Sequence, residues 1–190
     1  PPNRACALAE RIAAALRTTG ATLLFVDCNA IAPRTTRAIE PLLTEAGACF
    51  IDGCVIGGPP QPGRPGPRLY VSGPRAAEIA ELQASGLDVR VLGPQIGQAS
   101  GLKMCYASLT KGLTALATEA LVAGRALGLQ EALLAEFQAL PLFRTIERSV
   151  PGMPPKAYRW AGEMEEIART FGDLGLPAQM PEGAASLYRF

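Results

Sequence analysis

"ATLLFVDCNAIAPRTTRAIEPLLTEAGACFID", residues 21–52, decides the fold. It opens on a continuous apolar run, Ala21 to Asp27, with the length and character of a strand buried on both faces of a parallel sheet. Residues 33–47 follow, with Pro33 at the start and Gly47 beyond the end, the punctuation of a helix. "CFID", residues 49–52, then returns as a short buried strand. Strand, helix and strand in this order make one crossover unit of an α/β sheet.

Upstream, residues 4–17 read as a helix ended by Gly20. Downstream, "GCVIGGPPQPGRPGP", residues 53–67, is so rich in Gly and Pro that it predicts a loop. Residues 68–73 read as a strand, 74–86 as a helix and 88–93 as a strand, which continues the alternation. Past Gly97 the pattern changes. Ser100 to Leu127 holds no proline, and Gly112 and Gly124 interrupt a run whose apolar residues cover nearly every face. A helix apolar all round belongs inside a helical assembly, and at about 1.5 Å per residue this one is roughly 40 Å long. Residues 130–139, 141–149 and 155–172 also read as helices. The last carries Trp160, Met164, Ile167 and Phe171 on one stripe, with Glu163, Glu165 and Glu166 turned mostly away. The expected plan is an α/β part over residues 1–97 and an all-α part with a long central helix over 98–190.

Composition excludes several classes of function. A net charge of +1 with scattered basic residues argues against electrostatic capture of nucleic acid or of an anionic membrane. The long helix carries Lys103, Lys111, Glu119 and Arg125, which makes it a poor membrane span. Five cysteines without a CxxC pair predict neither a disulfide framework nor a metal site. They read as small buried hydrophobes in a reducing cytoplasm. No secretory signal is visible, and the start at "PPN" without a methionine leads us to expect a segment upstream. The chain has no histidine, which removes Ser-His-Asp and Cys-His nucleophilic systems and HExxH proteases together. Acid–base work must fall to Lys, Asp, Glu, Tyr or Cys.

Three constellations carry chemistry. Asp27-Cys28-Asn29-Ala30-Ile31-Ala32-Pro33 lies where a strand gives way to a helix, the edge at which α/β sheets bind ligands. Asn29 there either touches a ligand or caps the helix and shapes its turn. Asp52 to Pro59 offers the pair Gly57-Gly58, whose amides either cradle an anion or make an ordinary turn. Gly97 to Lys103 leads into the long helix. A lysine in the first turn of a buried helix feels desolvation and the positive helix end, and both lower its pKa toward that of a working acid or base. The other reading is that its stem lets the ammonium reach water.

In this order and together, the three motifs resemble the β-hydroxyacid dehydrogenase superfamily, which contains 3-hydroxyisobutyrate and 6-phosphogluconate dehydrogenases. The resemblance is narrower with the branch that joins a 6-phosphogluconate dehydrogenase-like NAD-binding domain to its own type of C-terminal domain. It implies a Rossmann-type NAD(P)-binding domain, here its C-terminal portion over residues 1–97, and an all-helical domain over 98–190. It implies an NAD(P)-dependent oxidoreductase that moves hydride between nicotinamide (NADP or NAD) and a small hydroxyacid or oxoacid. Lys103 would be the catalytic acid/base. Asn29, Gly57 and Gly58 would hold substrate, and Asn29 and Gly97 would touch the cofactor. A homodimer through the helical domain is also implied.

The chain departs from the family pattern at three points. Ile56 stands where a serine is expected before the paired glycines, Ala99 replaces the second glycine of G-x-G, and Ala107 replaces an asparagine one turn after the lysine. Ser108 is the adjacent hydroxyl that could stand in for it, with Tyr106, Thr110 and Lys111 nearby. These changes argue against a sugar phosphate and for a smaller or more apolar substrate, or for loss of activity. No GxGxxG occurs in the chain, so the stretch resembles the back portion of a dehydrogenase without its dinucleotide fingerprint. Two alternatives follow: a catalytically silent binding or dimerisation module, and an imine or oxo-acid reductase on the same scaffold.

Overall fold

The computed structural model describes residues 2–190, which fall into two compact units that divide after Cys105. In the first unit, after a short 3-10 turn, come α1 (Ala5–Thr19), β1 (Leu23–Asp27), α2 (Pro33–Thr44), β2 (Ala48–Ile56), β3 (Arg68–Ser72) and β4 (Asp88–Gly93). The four strands form one sheet in the order β1-β2-β3-β4. β1 and β2 are parallel, with Asp27 beside Asp52, and β3 and β4 are parallel. β2 and β3 run antiparallel, because the Gly/Pro segment between them holds no helix and turns the chain straight back. One face of the sheet packs Ala48 and Phe50, with Ile31 of the β1–α2 loop, against Ala9, Ala13, Ile39 and Leu43 of α1 and α2. Another cluster joins Ile51, Val71 and Val89 to Ala76 and Ile79.

Several expectations are corrected. "GCVI" is the end of β2, with Cys54 opposite Tyr70 and Val55 opposite Leu69. Gly53 sits mid-strand because β1 passes close by: a β-carbon there would lie 2.8 Å from Val26 Cγ1 and 2.9 Å from Cys28 Sγ. Residues 76–85 form a 3-10 helix, and the apolar spacing Ala76, Ile79, Leu82 has its three-residue period. β1 is half open, with Leu23 and Leu24 exposed rather than buried on both faces. Of the cysteines only Cys54 is buried; Cys6, Cys28 and Cys105 are exposed and Cys49 lies between.

The helix α3 (Gln98–Ala126) starts in the first unit and continues into the second, where α4 (Gln130–Gln138), α5 (Phe143–Ser149), α6 (Pro154–Asp173) and α7 (Gln179–Leu187) follow. The sequence reading omits α7. Pro181 looks like a breaker but falls in the first turn, where no intrahelical N–H bond is lost. Nor is α3 buried on all sides, since Leu109, Leu116, Val122 and Leu127 are exposed. Glu163 and Glu166 of α6 are buried, contrary to expectation. Glu163 pairs with the buried Lys111 of α3 at 2.8 Å and with Arg159 at 3.5 Å, and Glu166 pairs with Arg169. Lys111 also lies over the ring of Trp160, 5.4 Å from its centroid. No helix among the described residues is long and apolar enough to cross a membrane.

Candidate functional site

The start of α3 is held by a side chain from the sheet. Asp52, in the middle of β2 and 1% exposed, accepts the backbone N–H of Gly97 at 2.9 Å. Both its oxygens accept the N–H of Ser100, at 3.1 and 3.2 Å, and Oδ2 accepts the Ser100 hydroxyl at 3.2 Å. The Ser72 hydroxyl donates to the same oxygen at 3.0 Å while accepting the N–H of Ala99 at 3.0 Å. The first N–H groups of the helix, which have no partner of their own, are thereby satisfied from β2 and β3. Burial raises the Asp52 pKa above the usual carboxylate value, and the bonds from Ser100, Ser72 and Gly97 oppose that rise.

Lys103 is the sixth residue of α3, in its second turn rather than its first. It is half-buried, and its Nζ donates to the carbonyl oxygen of Val55 at 2.7 Å. Its ammonium therefore meets the strand end that leads into Gly57 and Gly58. Gly57 takes a φ of +130° against Pro67, and no atom lies within 4 Å of where a β-carbon on Gly58 would stand. Two thiols share the neighbourhood. Burial pushes Cys28 up to about 11, with the Asp27 and Asp52 charges adding to the effect and Lys103 opposing it. Burial likewise pushes Cys54 up to about 12, again opposed by Lys103. Cys28 is exposed as a residue, but its sulfur is tucked toward the α-carbon of Gly53.

Asn29 does not cap α2, whose cap position is Ala32. Its backbone N–H and its Nδ2 both donate to Asp27 Oδ1, at 2.8 and 2.7 Å, which folds the strand-end turn back on itself. Gly97 is buried with φ +103°, and a β-carbon there would lie 2.8 Å from the Arg37 guanidinium. Its backbone donor is the one committed to Asp52. Ile56 and Ala99, two of the departures, belong to one apolar cluster with Cys54, flanked by Tyr70 and Leu102. The third, Ala107, is 1% exposed. Asp52, Ser72 and Ser100 are the residues that sequence reasoning missed, since nothing local marks partners so far apart in the chain.

Ser108 belongs to the second unit. It lines an apolar groove of about 500 Å³ with Leu109, Leu116, Met164, Phe171 and Met180. No group of three or more His, Cys, Asp or Glu among the described residues is arranged to hold a metal ion.

The family described as Domain of unknown function (DUF1932) matches residues 125–190. A solved conserved hypothetical protein from Sinorhizobium meliloti 1021 is 29% identical with a TM-score of 0.73, covering 97% of this chain and 63% of its own. The solved conserved protein MTH1747, described as similar in structure to 3-hydroxyacid dehydrogenases, is 30% identical with a TM-score of 0.70. That match covers 99% of this chain and 70% of the relative. An uncharacterized 28.5 kDa protein of Methanothermus fervidus is 31% identical over 111 residues, or 58% of this chain and 42% of the relative. This chain thus spans less than half of that curated relative. At lower identity the fold is shared with 3-hydroxyisobutyrate dehydrogenase of Salmonella typhimurium (17%, TM-score 0.66, 93% of this chain and 70% of that one). It is shared also with Psf3, solved in complex with NADP+ (20%, TM-score 0.54, 86% of this chain and 61% of that one). With its motifs, its mixed sheet leading into a long helix, and a relative aligned over nearly its whole length, the chain belongs to the 3-hydroxyacid (β-hydroxyacid) dehydrogenase superfamily.

Proposed function

We propose that the chain carries the substrate-binding and acid–base half of an NAD(P)-dependent oxidoreductase acting on a small hydroxyacid or its oxo counterpart. The observation that carries this reading is the Lys103 ammonium held 2.7 Å from the Val55 carbonyl, at the strand end that opens into Gly57-Gly58. In a chain without histidine, and with the thiols of Cys28 and Cys54 held protonated, this lysine is the group in that neighbourhood to which the reading gives the proton transfer. In the oxidising direction the neutral amine of Lys103 takes the proton of the substrate hydroxyl while hydride leaves the carbon that bears it, and a carbonyl forms. In the reducing direction the ammonium returns that proton to the carbonyl oxygen. When bound, a nicotinamide accepts or supplies the hydride.

The residues present fit the nicotinamide end of such a cofactor. The open space before Gly58 lets backbone approach a ligand, and Asn29 lies on the neighbouring strand-end turn. Gly97, whose N–H is taken by Asp52, would contribute shape rather than a hydrogen bond. Chain with no GxGxxG supplies no dinucleotide fingerprint of its own, so a pyrophosphate cradle would have to come from outside these residues. The apolar Ile56–Ala99 cluster, whose Ile56 directly precedes the glycine pair, favours a small or weakly polar substrate over a sugar phosphate.

The test is a panel of small hydroxyacids, oxoacids and cyclic imines, assayed with NADPH and NADH on the protein with any segment encoded upstream. Turnover on hydroxyacids or oxoacids supports the proposal. Turnover confined to imines moves the reading to an imine reductase on the same scaffold. No turnover across the panel leaves the silent assembly module. That module has one observation in its favour, the exposed apolar residues Leu109, Leu116, Val122 and Leu127 of α3. A homodimer through the helical unit would cover them. Sedimentation equilibrium should find a dimer that Leu116→Lys converts to monomer; a wild-type monomer would end that part of the proposal.

A further inference from the structure

We propose that Asp52 is the positioning residue for Lys103: its buried carboxylate grips the first turn of α3 and so sets the lysine against the Val55 carbonyl. The inference deepens the proposed function, since it rests on Lys103 as the acid/base of that site. Along β2, Val55 lies three residues beyond Asp52, about 10 Å at the rise of a strand. Along α3, Lys103 lies three residues beyond Ser100, about 4.5 Å at the rise of a helix and on the same side of it. The length of the lysine side chain spans the difference. The carboxylate grip and the ammonium–carbonyl contact are therefore two ends of one docking between β2 and α3.

The grip has no redundancy at its centre. Asp52 receives Gly97, Ser100 and Ser72, and Ser72 passes the hold on to Ala99. Ser72 is 0% exposed and Ser100 1%, so water cannot replace the lost acceptor. Oδ2 alone takes four of these bonds, so an asparagine could keep them with its carbonyl oxygen; in Asp52→Ala no acceptor remains for Gly97, Ser100 and Ser72. The first turn of α3 then loses its register on the sheet, and Lys103 loses Val55.

The experiment reads the lysine directly. The chain has three lysines, Lys103, Lys111 and Lys156, whose relative rates of trace acetylation by acetic anhydride can be followed by mass spectrometry on the folded protein. In Asp52→Ala the Lys103 rate should rise about tenfold relative to Lys156, the loss of one hydrogen bond from a charged donor, while the Lys111 to Lys156 ratio stays fixed. An unchanged Lys103 ratio overturns the proposal. So does a rise shared equally by all three lysines, which marks general loosening instead of positioning. Where Asp52→Ala does not fold, Ser72→Ala keeps the carboxylate and should raise the Lys103 ratio about threefold, with no change again overturning it. Because no turnover is read, a released lysine in a chain that fails the whole substrate panel refutes the proposed function and leaves the positioning role standing.

Discussion

Lys103→Ala should lower turnover about a thousandfold on whichever substrate of the panel is accepted, the usual contribution of a positioned proton donor and acceptor. The same change should leave the fold intact. Lys103 is half-buried and its ammonium donates to the Val55 carbonyl, a contact from a charged donor worth about 1.5–3 kcal/mol, too little to unfold the chain. Alanine is also the residue that a helix tolerates best. The measurement is kcat beside the thermal midpoint on the same preparation. A variant that melts like the wild type and turns over a thousandfold more slowly supports Lys103 as the acid/base. Wild-type turnover in a folded variant removes the mechanism.

The second large effect is one of stability in the helical unit. Lys111 and Glu163 form an ion pair at 2.8 Å with side chains 11% and 9% exposed. Glu163→Ala leaves the ammonium buried with the Trp160 ring 5.4 Å away as its remaining named partner, which replaces little of a carboxylate. Breaking such a pair from one side costs about 3–5 kcal/mol. Urea denaturation of the chain, followed by far-ultraviolet circular dichroism, should show that loss. Replacing both partners at once, Lys111→Met with Glu163→Leu, should recover most of it, because neither charge is then stranded. If Glu163→Ala costs less than about 1 kcal/mol, the pair is wetter than its geometry implies.

What could be read in the sequence depended on how local its physical cause was. The crossover unit from Ala21 to Asp52 and the helix through Lys103 follow from periodicity and from Gly and Pro punctuation, and both are where they were expected. Punctuation misled where a glycine served packing: Gly53 was read as the start of a loop but is the point at which β1 and β2 come close. The short helix α7 was omitted, and Pro181 sits harmlessly in its first turn. Glu163 and Glu166 were placed away from the apolar stripe; Arg159 and Arg169 lie within a turn of them, but Lys111, the buried partner of Glu163, is far back along the chain. Asp52 was seen only as the first letter of a motif, and its grip depends on Ser72, Gly97 and Ser100, which the fold alone brings together. Ile56 and Ala99 looked like two separate departures from the family pattern. In the structure they share one apolar cluster, so each accommodates the other.

The turn at Asn29 carries one consequence of its own. With Asp27 Oδ1 accepting from Nδ2, the side-chain amide cannot be flipped without setting two acceptors against each other. Its carbonyl end therefore has a fixed identity, that of an acceptor. Whatever is recognised through that oxygen must arrive carrying a hydrogen to give, as a hydroxyl or a primary amide does and a bare carboxylate does not. Under the proposed function, the substrate hydroxyl is the group suited to that oxygen, while the second N–H of Nδ2 can still donate to a carboxylate.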